Sequence, residues 1–143
     1  MVGGSAATDP ATAARWFERA QSEVAQAERI EPLMPYHVYN RGHLQLLFAQ
    51  MVDGDQRVAA AANAEVALQS AFDRLPADPQ VANELALARI LQGKAEAALP
   101  LLEYVRDHLD PENATTWQLL GAALSAAGRT EDAAAAAEKA MEL

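Results

Sequence analysis

Apolar side chains recur every three or four residues through most of the chain, the spacing of helices that bury one face. The first such run follows Asp9 and Pro10, which form a helix start signal, and it includes Phe17 and Val24. The two prolines of "EPLMP" that follow cannot continue a helix. The pattern therefore predicts a first helix over 10–31.

Proline and glycine divide the remaining sequence into six further helical segments. We expect them at about 36–52, 56–75, 79–92, 95–109, 111–127 and 129–143. Pro100 falls inside the fifth segment and should bend it. Alanine, the residue with the best helix propensity, is abundant, and β-branched residues are sparse. An all-α fold of about seven helices follows, and the short connections predict that successive helices are antiparallel neighbours.

An internal repeat distinguishes a solenoid from a bundle. The segments "QGKAEAA" (92–98) and "AGRTEDA" (127–133) share glycine, a basic residue, glutamate and alanine in register. Their glycines, Gly93 and Gly128, are 35 residues apart, and Pro76 and Pro111 each lie 17 residues before one of them. A period near 34 residues, built as helix–turn–helix, predicts a helical solenoid.

The segment "WQLLGAAL", followed by Ala133 and Ala137, resembles a tetratricopeptide repeat, whose pattern begins W-x2-L-G-x2-Y. The resemblance implies a right-handed superhelix of antiparallel helix pairs. It also implies that Gly121 allows close approach of two helices and that Gly128 permits a left-handed turn. We expect six large side chains to be buried between adjacent helices: Phe72, Leu75, Leu85, Leu102, Trp117 and Leu120.

The resemblance weakens toward the N-terminus. "YNRG" (39–42) is similar to the family's Y-N-L-G, but the next turn glycine arrives late, so this helix should be about a turn longer. Arg89 stands where the family has tyrosine. We therefore divide the chain into a disordered segment or expression remnant (1–9), an unpaired helix (10–31), a degenerate repeat (36–75) and repeats at 79–110 and 111–143.

The charge balance narrows the possible partners. The formal net charge is −9, the pI is about 4.7, and the basic residues are scattered singly. Nucleic-acid binding and membrane association are therefore not expected. No signal peptide or spanning segment is visible, so we expect a cytoplasmic protein, or a periplasmic one if the chain is an excised fragment.

No pattern of catalytic or cofactor-binding residues is present. The sequence contains no phosphate-binding loop, dinucleotide fingerprint, zinc-protease helix or nucleophile elbow. Cysteine is absent, and His37, His43 and His108 are not spaced to share one helix face. We expect no enzyme activity, no cofactor and no metal.

The tetratricopeptide resemblance implies a concave groove that holds a peptide or a partner helix. In the family the first helix of each repeat lines this groove. By alignment, the residues expected to line it here are Tyr36, Tyr39, His43, Asn83, Leu87, Ile90, Thr115, Gln118, Ala122 and Ser125. The two tyrosines suit recognition, but they could equally pack against the first helix. Of the family's clamp for a terminal carboxylate, only Asn83 has a counterpart.

Two functions follow from this reading. The first is a protein interaction scaffold, and the alternative is a docking or oligomerisation module of a larger transferase or oxygenase. The last helix should expose an apolar face made of Ala137, Ala140, Met141 and Leu143. Either the natural chain continues beyond this face, or the face forms a homodimer.

Overall fold

The computed structural model describes residues 9–143, so most of the segment predicted to be disordered lies outside the described residues. Within this range all regular structure is helical and no strand occurs, which confirms the all-α fold. The seven helices are α1 (Pro10–Ile30), α2 (Pro35–Met51), α3 (Gly54–Arg74), α4 (Pro79–Leu91), α5 (Ala95–Tyr104), α6 (Ala114–Ala126) and α7 (Thr130–Glu142). A π-helical turn, Val105–Leu109, continues α5.

Side-chain caps determine where three helices begin. The Asp9 carboxylate accepts from the backbone N–H of Thr12 at 2.7 Å, and Asp78 caps α4 in the same way. The sixth helix begins at Ala114, three residues later than predicted. The reason is Asn113, whose side chain accepts from the N–H of Thr116 at 3.2 Å, so Pro111 lies in the preceding turn and not in the helix.

The turns after α4 and α6 have the same geometry. Gly93 and Gly128 have φ angles of +80° and +83°, which side-chain-bearing residues rarely adopt. In each turn the residue after the glycine donates its N–H to a carbonyl five residues earlier, from Lys94 to Arg89 and from Arg129 to Leu124. The predicted left-handed turn at Gly128 is confirmed, and the 35-residue spacing corresponds to a repeated structural unit.

The N-terminal helices are longer than those that follow. Helix α2 has 17 residues and α3 has 21, whereas α4, α6 and α7 have 13 each. The prediction that this helix is about a turn longer is confirmed, since α2 exceeds α4 and α6 by four residues. Helix α1 contacts α2 alone among the described helices, and Phe17 stacks on Phe48 with ring centroids 4.4 Å apart.

Each helix packs on the next, and α4 also contacts α2 and α6. The core is built largely from alanine together with leucines such as Leu85, Leu102 and Leu120, which are buried as predicted. Phe72, Leu75 and Trp117 are only half-buried, so the prediction is wrong for these three. The indole of Trp117 remains at the edge of the core because its Nε1 donates to the Pro111 carbonyl at 2.9 Å.

Close approach of α2 and α3 depends on Gly42. A Cβ at this position would lie 2.7 Å from Leu68 Cγ, and Leu68 is itself fully buried. We expect Gly42→Ala to lower the free energy of unfolding by about 1–3 kcal/mol despite the better helix propensity of alanine. Urea unfolding monitored by circular dichroism measures the change.

Gly121→Ala is the matched control, because a Cβ there would lie 3.4 Å from its nearest neighbour, the Ala133 carbonyl. Gly121→Ala should lower the free energy of unfolding by less than Gly42→Ala does. Equal stability of the Gly42→Ala variant and the wild type would contradict the tight α2–α3 contact.

Candidate interaction surface

Helices α2, α4 and α6 are linked directly by side chains. The Tyr39 hydroxyl of α2 donates to Glu84 Oε2 of α4 at 2.5 Å. The Thr116 hydroxyl of α6 donates to Asn83 Oδ1 of α4 at 3.0 Å. The predicted groove residues therefore come from three neighbouring helices, with α4 in the middle.

Exposure divides the predicted groove residues into three classes. Tyr36 is 49% exposed, and Thr115, Gln118, Ala122 and Ser125 are exposed as well. The half-buried members are Tyr39, His43, Leu87 and Ile90. Asn83 is only 4% exposed. Nine of the ten predicted positions are thus at least partly accessible to a partner.

A polar cluster, which we call the Glu84 cluster, joins α2 to α4 and consists of Tyr39, His43, Gln80 and Glu84. His43 Nδ1 lies 2.7 Å from Glu84 Oε1, and the Gln80 amide donates to the Tyr39 hydroxyl at 2.9 Å. Burial and the adjacent Glu84 carboxylate raise the pKa of Tyr39, so its phenol remains a donor. Tyr39 therefore packs against α3 and α4 and is hydrogen-bonded to α4.

The structure corrects the prediction for Asn83. Its side chain is enclosed between α4 and α6, where it pairs with Thr116, a residue with no exposed surface. A buried polar pair of this kind holds two helices in register. The Asn83 side chain is therefore a packing contact between α4 and α6, and the one counterpart of the clamp that the tetratricopeptide resemblance implied is enclosed.

Two members of the Glu84 cluster were not predicted from the sequence. Gln80 and Glu84 are four residues apart on α4, so they share one face, and Gln80 Nε2 donates to Glu84 Oε2 at 3.3 Å. The clue in the sequence was the four-residue spacing of Gln80 and Glu84 on the helix that also carries Asn83. A single sequence does not indicate which residues of α2 lie opposite them.

A second polar network positions α4 from the opposite side. Glu65 of α3 accepts from Arg89 Nε at 3.0 Å, from Gln92 Nε2 at 2.8 Å and from Lys94 Nζ at 2.7 Å. Arg89 also donates to the Ala97 carbonyl of α5 at 3.0 Å. Arg89 thus links α3, α4 and α5.

The network perturbs the acidity of Glu65. Burial alone would raise the pKa of its carboxyl, but the hydrogen bonds from Lys94, Gln92 and Arg89 outweigh burial and lower the pKa to about 2. The carboxylate is therefore charged throughout the physiological pH range.

At the far end of the surface, Gln118, Ala122 and Ser125 of α6 border α7 across a groove of about 570 Å³. We call this the terminal groove. The other residues that line it are Gly121, Thr130, Ala133, Ala134, Ala137, Ala140 and Met141. Ala140 is 8% exposed, so it does not belong to the exposed apolar face predicted for α7, whereas Met141 is 86% exposed.

The titratable residues offer no assembled metal site within residues 9–143. His43 belongs to the Glu84 cluster, His108 lies beside Tyr104, and His37 lies 3.9 Å from Glu31. No helix of the described part is long and apolar enough to cross a bilayer.

The chain matches no family model and no curated protein.

The Glu65 network makes stability depend on pH. Because the pKa of Glu65 is lower in the folded protein than its ordinary value of 4.5, the unfolded state binds more protons as the pH falls. At neutral pH, Glu65→Gln should lower the free energy of unfolding by about 1–3 kcal/mol. The difference between variant and wild type should shrink below about pH 5 and vanish near pH 2.

Urea titrations of both proteins across this pH range test the prediction. Glu96→Gln, an exposed change on α5 outside any ion pair of the described residues, is the control and should show a small, pH-independent difference. If the difference in free energy of unfolding between Glu65→Gln and the wild type were constant with pH, the charge of Glu65 would not be the source of the stability that the network provides.

Proposed function

We propose that the chain is a non-catalytic interaction scaffold of the tetratricopeptide type. In this proposal the helix pairs form a right-handed superhelix, and α2, α4 and α6 line a concave groove that binds a peptide or a partner helix. The repeated turns at Gly93 and Gly128 support the repeat, and the side-chain links from α2 to α4 and from α4 to α6 support the groove.

The observation that carries the proposal is the direct contact between these three helices. In the helix–turn–helix unit, α3 and α5 lie between them in sequence, yet α4 contacts both α2 and α6. Side chains from first helices therefore form one continuous surface. A surface of this kind can follow an extended or helical partner over several turns.

The accessible residues suit recognition of a peptide. Tyr36 offers a large rigid ring with a polar tip at the α2 end, and Leu87 and Ile90 provide half-buried apolar contacts in the middle. Gln118 and Ser125 supply neutral hydrogen-bonding groups at the α6 end. None of these side chains belongs to the Glu84 cluster or the Glu65 network, so they are free of those packing roles.

The test is binding of peptides selected from a random peptide library displayed on phage, measured with purified protein. Tyr36→Ala should weaken binding by about tenfold or more, because exposed aromatic anchors dominate such interfaces. The melting temperature should remain nearly unchanged. Asn83→Ala, in contrast, should lower the melting temperature, because it leaves the buried Thr116 hydroxyl without its acceptor.

Val66→Ala is the control, because Val66 is 73% exposed on α3, outside the proposed groove. Binding should survive this change. Peptides that bind the wild type and the Tyr36→Ala and Gln118→Ala variants equally well would contradict the proposed groove.

A further inference from the structure

The terminal groove between α6 and α7 is a surface separate from the middle of the proposed concave groove. Its lining is uncharged and consists mainly of small side chains, with a volume of about 570 Å³. Met141 projects at its edge and is 86% exposed. Gly121 lies in the lining, and a Cβ added there would stand 3.4 Å from the Ala133 carbonyl.

The chain itself shows what covers a groove of this kind. Thirty-five residues earlier, the positions equivalent to Gly121, Ala133 and Ala137 are occupied by a second set: Ala86, Ala98 and Leu102. That set has no exposed surface, because α6 packs over it with Leu120, Ala123 and Leu124. In the last pair, Ala137 is exposed. The precedent within the fold is therefore an α-helix with an apolar face.

Charge indicates the chemistry of this helix. Glu131, Glu138 and Glu142 recur at intervals of seven and four residues, so they form one exposed row along α7 beside the groove. No ion pair within the described residues involves them. In the preceding pair, Glu103, the equivalent of Glu138, lies in a cleft with Arg129, which belongs to the next helix pair.

We propose that the terminal groove binds an amphipathic helix of a partner protein, with an apolar face against α6 and α7 and lysine or arginine along the flank next to the glutamate row. Because α6 covers the equivalent surface of α4 and α5, the ligand is expected to be a helix with an apolar face. The unpaired glutamates give its charge, since opposite charges across an interface favour the correct partner and raise the association rate.

A second copy of this chain fits the groove less well. The residues that line the groove include no lysine or arginine, and the adjacent row is acidic. Two such faces brought together by a twofold axis would place two acidic rows near each other, and the chain has a net charge of −9. The homodimer, which the sequence suggested as the alternative to a continuation of the chain, is therefore an outcome that the experiment must distinguish.

The probe is a synthetic peptide of about 18 residues, long enough to form a helix, with leucines on one face and lysines along one flank. A second peptide carries glutamate in place of every lysine. Fluorescence anisotropy measures the binding of each labelled peptide to the full chain at low and high salt. We expect the lysine peptide to bind about tenfold or more tightly than the glutamate peptide at low salt, with a difference that salt reduces.

Two variants of the protein test the location. Ala137→Trp places an indole in the middle of the groove at an exposed helix position and should abolish binding. Ala59→Trp adds the same side chain at an exposed position of α3 and should leave binding intact. Circular dichroism verifies that both variants fold.

The charge is tested by replacing Glu131, Glu138 and Glu142 together with glutamine. This variant should bind the lysine peptide about tenfold less tightly and lose most of the salt dependence. The control replaces Glu18, Glu23 and Glu96 with glutamine, because these residues are exposed and lie outside the groove. It should change neither the affinity for the lysine peptide nor the salt dependence of binding.

Four results would overturn the proposal. Binding that survives Ala137→Trp would place the peptide elsewhere, and loss with Tyr36→Ala alone would place it in the concave groove. Equal binding of the two peptides would remove the charge argument. A concentration-dependent mass in light scattering that Ala137→Trp abolishes would assign the groove to a second copy. Because Tyr36 lies on α2, far in sequence from α7, failure here leaves the proposed function separately testable.

Discussion

The structure depends on close approach between helices whose contact faces carry small side chains. Alanine dominates the core, and at Gly42 even a single added Cβ would lie 2.7 Å from Leu68. Short distances between helix axes place many atoms in dispersion contact although few side chains are large. Trp117 packs half-buried against the edge of this core.

A core of small side chains buries less apolar surface per helix, so polar links between helices gain importance. Glu65 connects three helices through Arg89, Gln92 and Lys94, and the Asn83–Thr116 pair is enclosed between α4 and α6. Burying such groups costs desolvation free energy, and their hydrogen bonds form together in only one arrangement of the helices. They therefore select the register in which the apolar faces meet.

The same links determine which side chains remain available to a partner. Glu84 engages Tyr39 and His43, which restricts these two residues, while Tyr36 stays half-exposed. At the other end, α6 has covered the face of α4 and α5, but α7 has no such cover within the described residues. Gln118, Ala122 and Ser125 belong both to the proposed concave groove and to the lining of the terminal groove.

The sequence by itself determined the helices, their approximate ends and the 35-residue repeat, because proline, glycine and apolar spacing act through local backbone geometry. It placed the turn at Gly128 and the long α2 correctly, and it missed the start of α6 because a side-chain cap at Asn113 competed with Pro111. Tertiary structure alone decided that Asn83 is enclosed, that Trp117 is half-exposed and that Glu84 joins α2 to α4. Helical period gives the direction of a side chain about its own axis. Whether that direction ends in solvent or in a neighbouring helix depends on residues more than 30 positions away, such as Thr116 for Asn83, and no local pattern encodes that pairing.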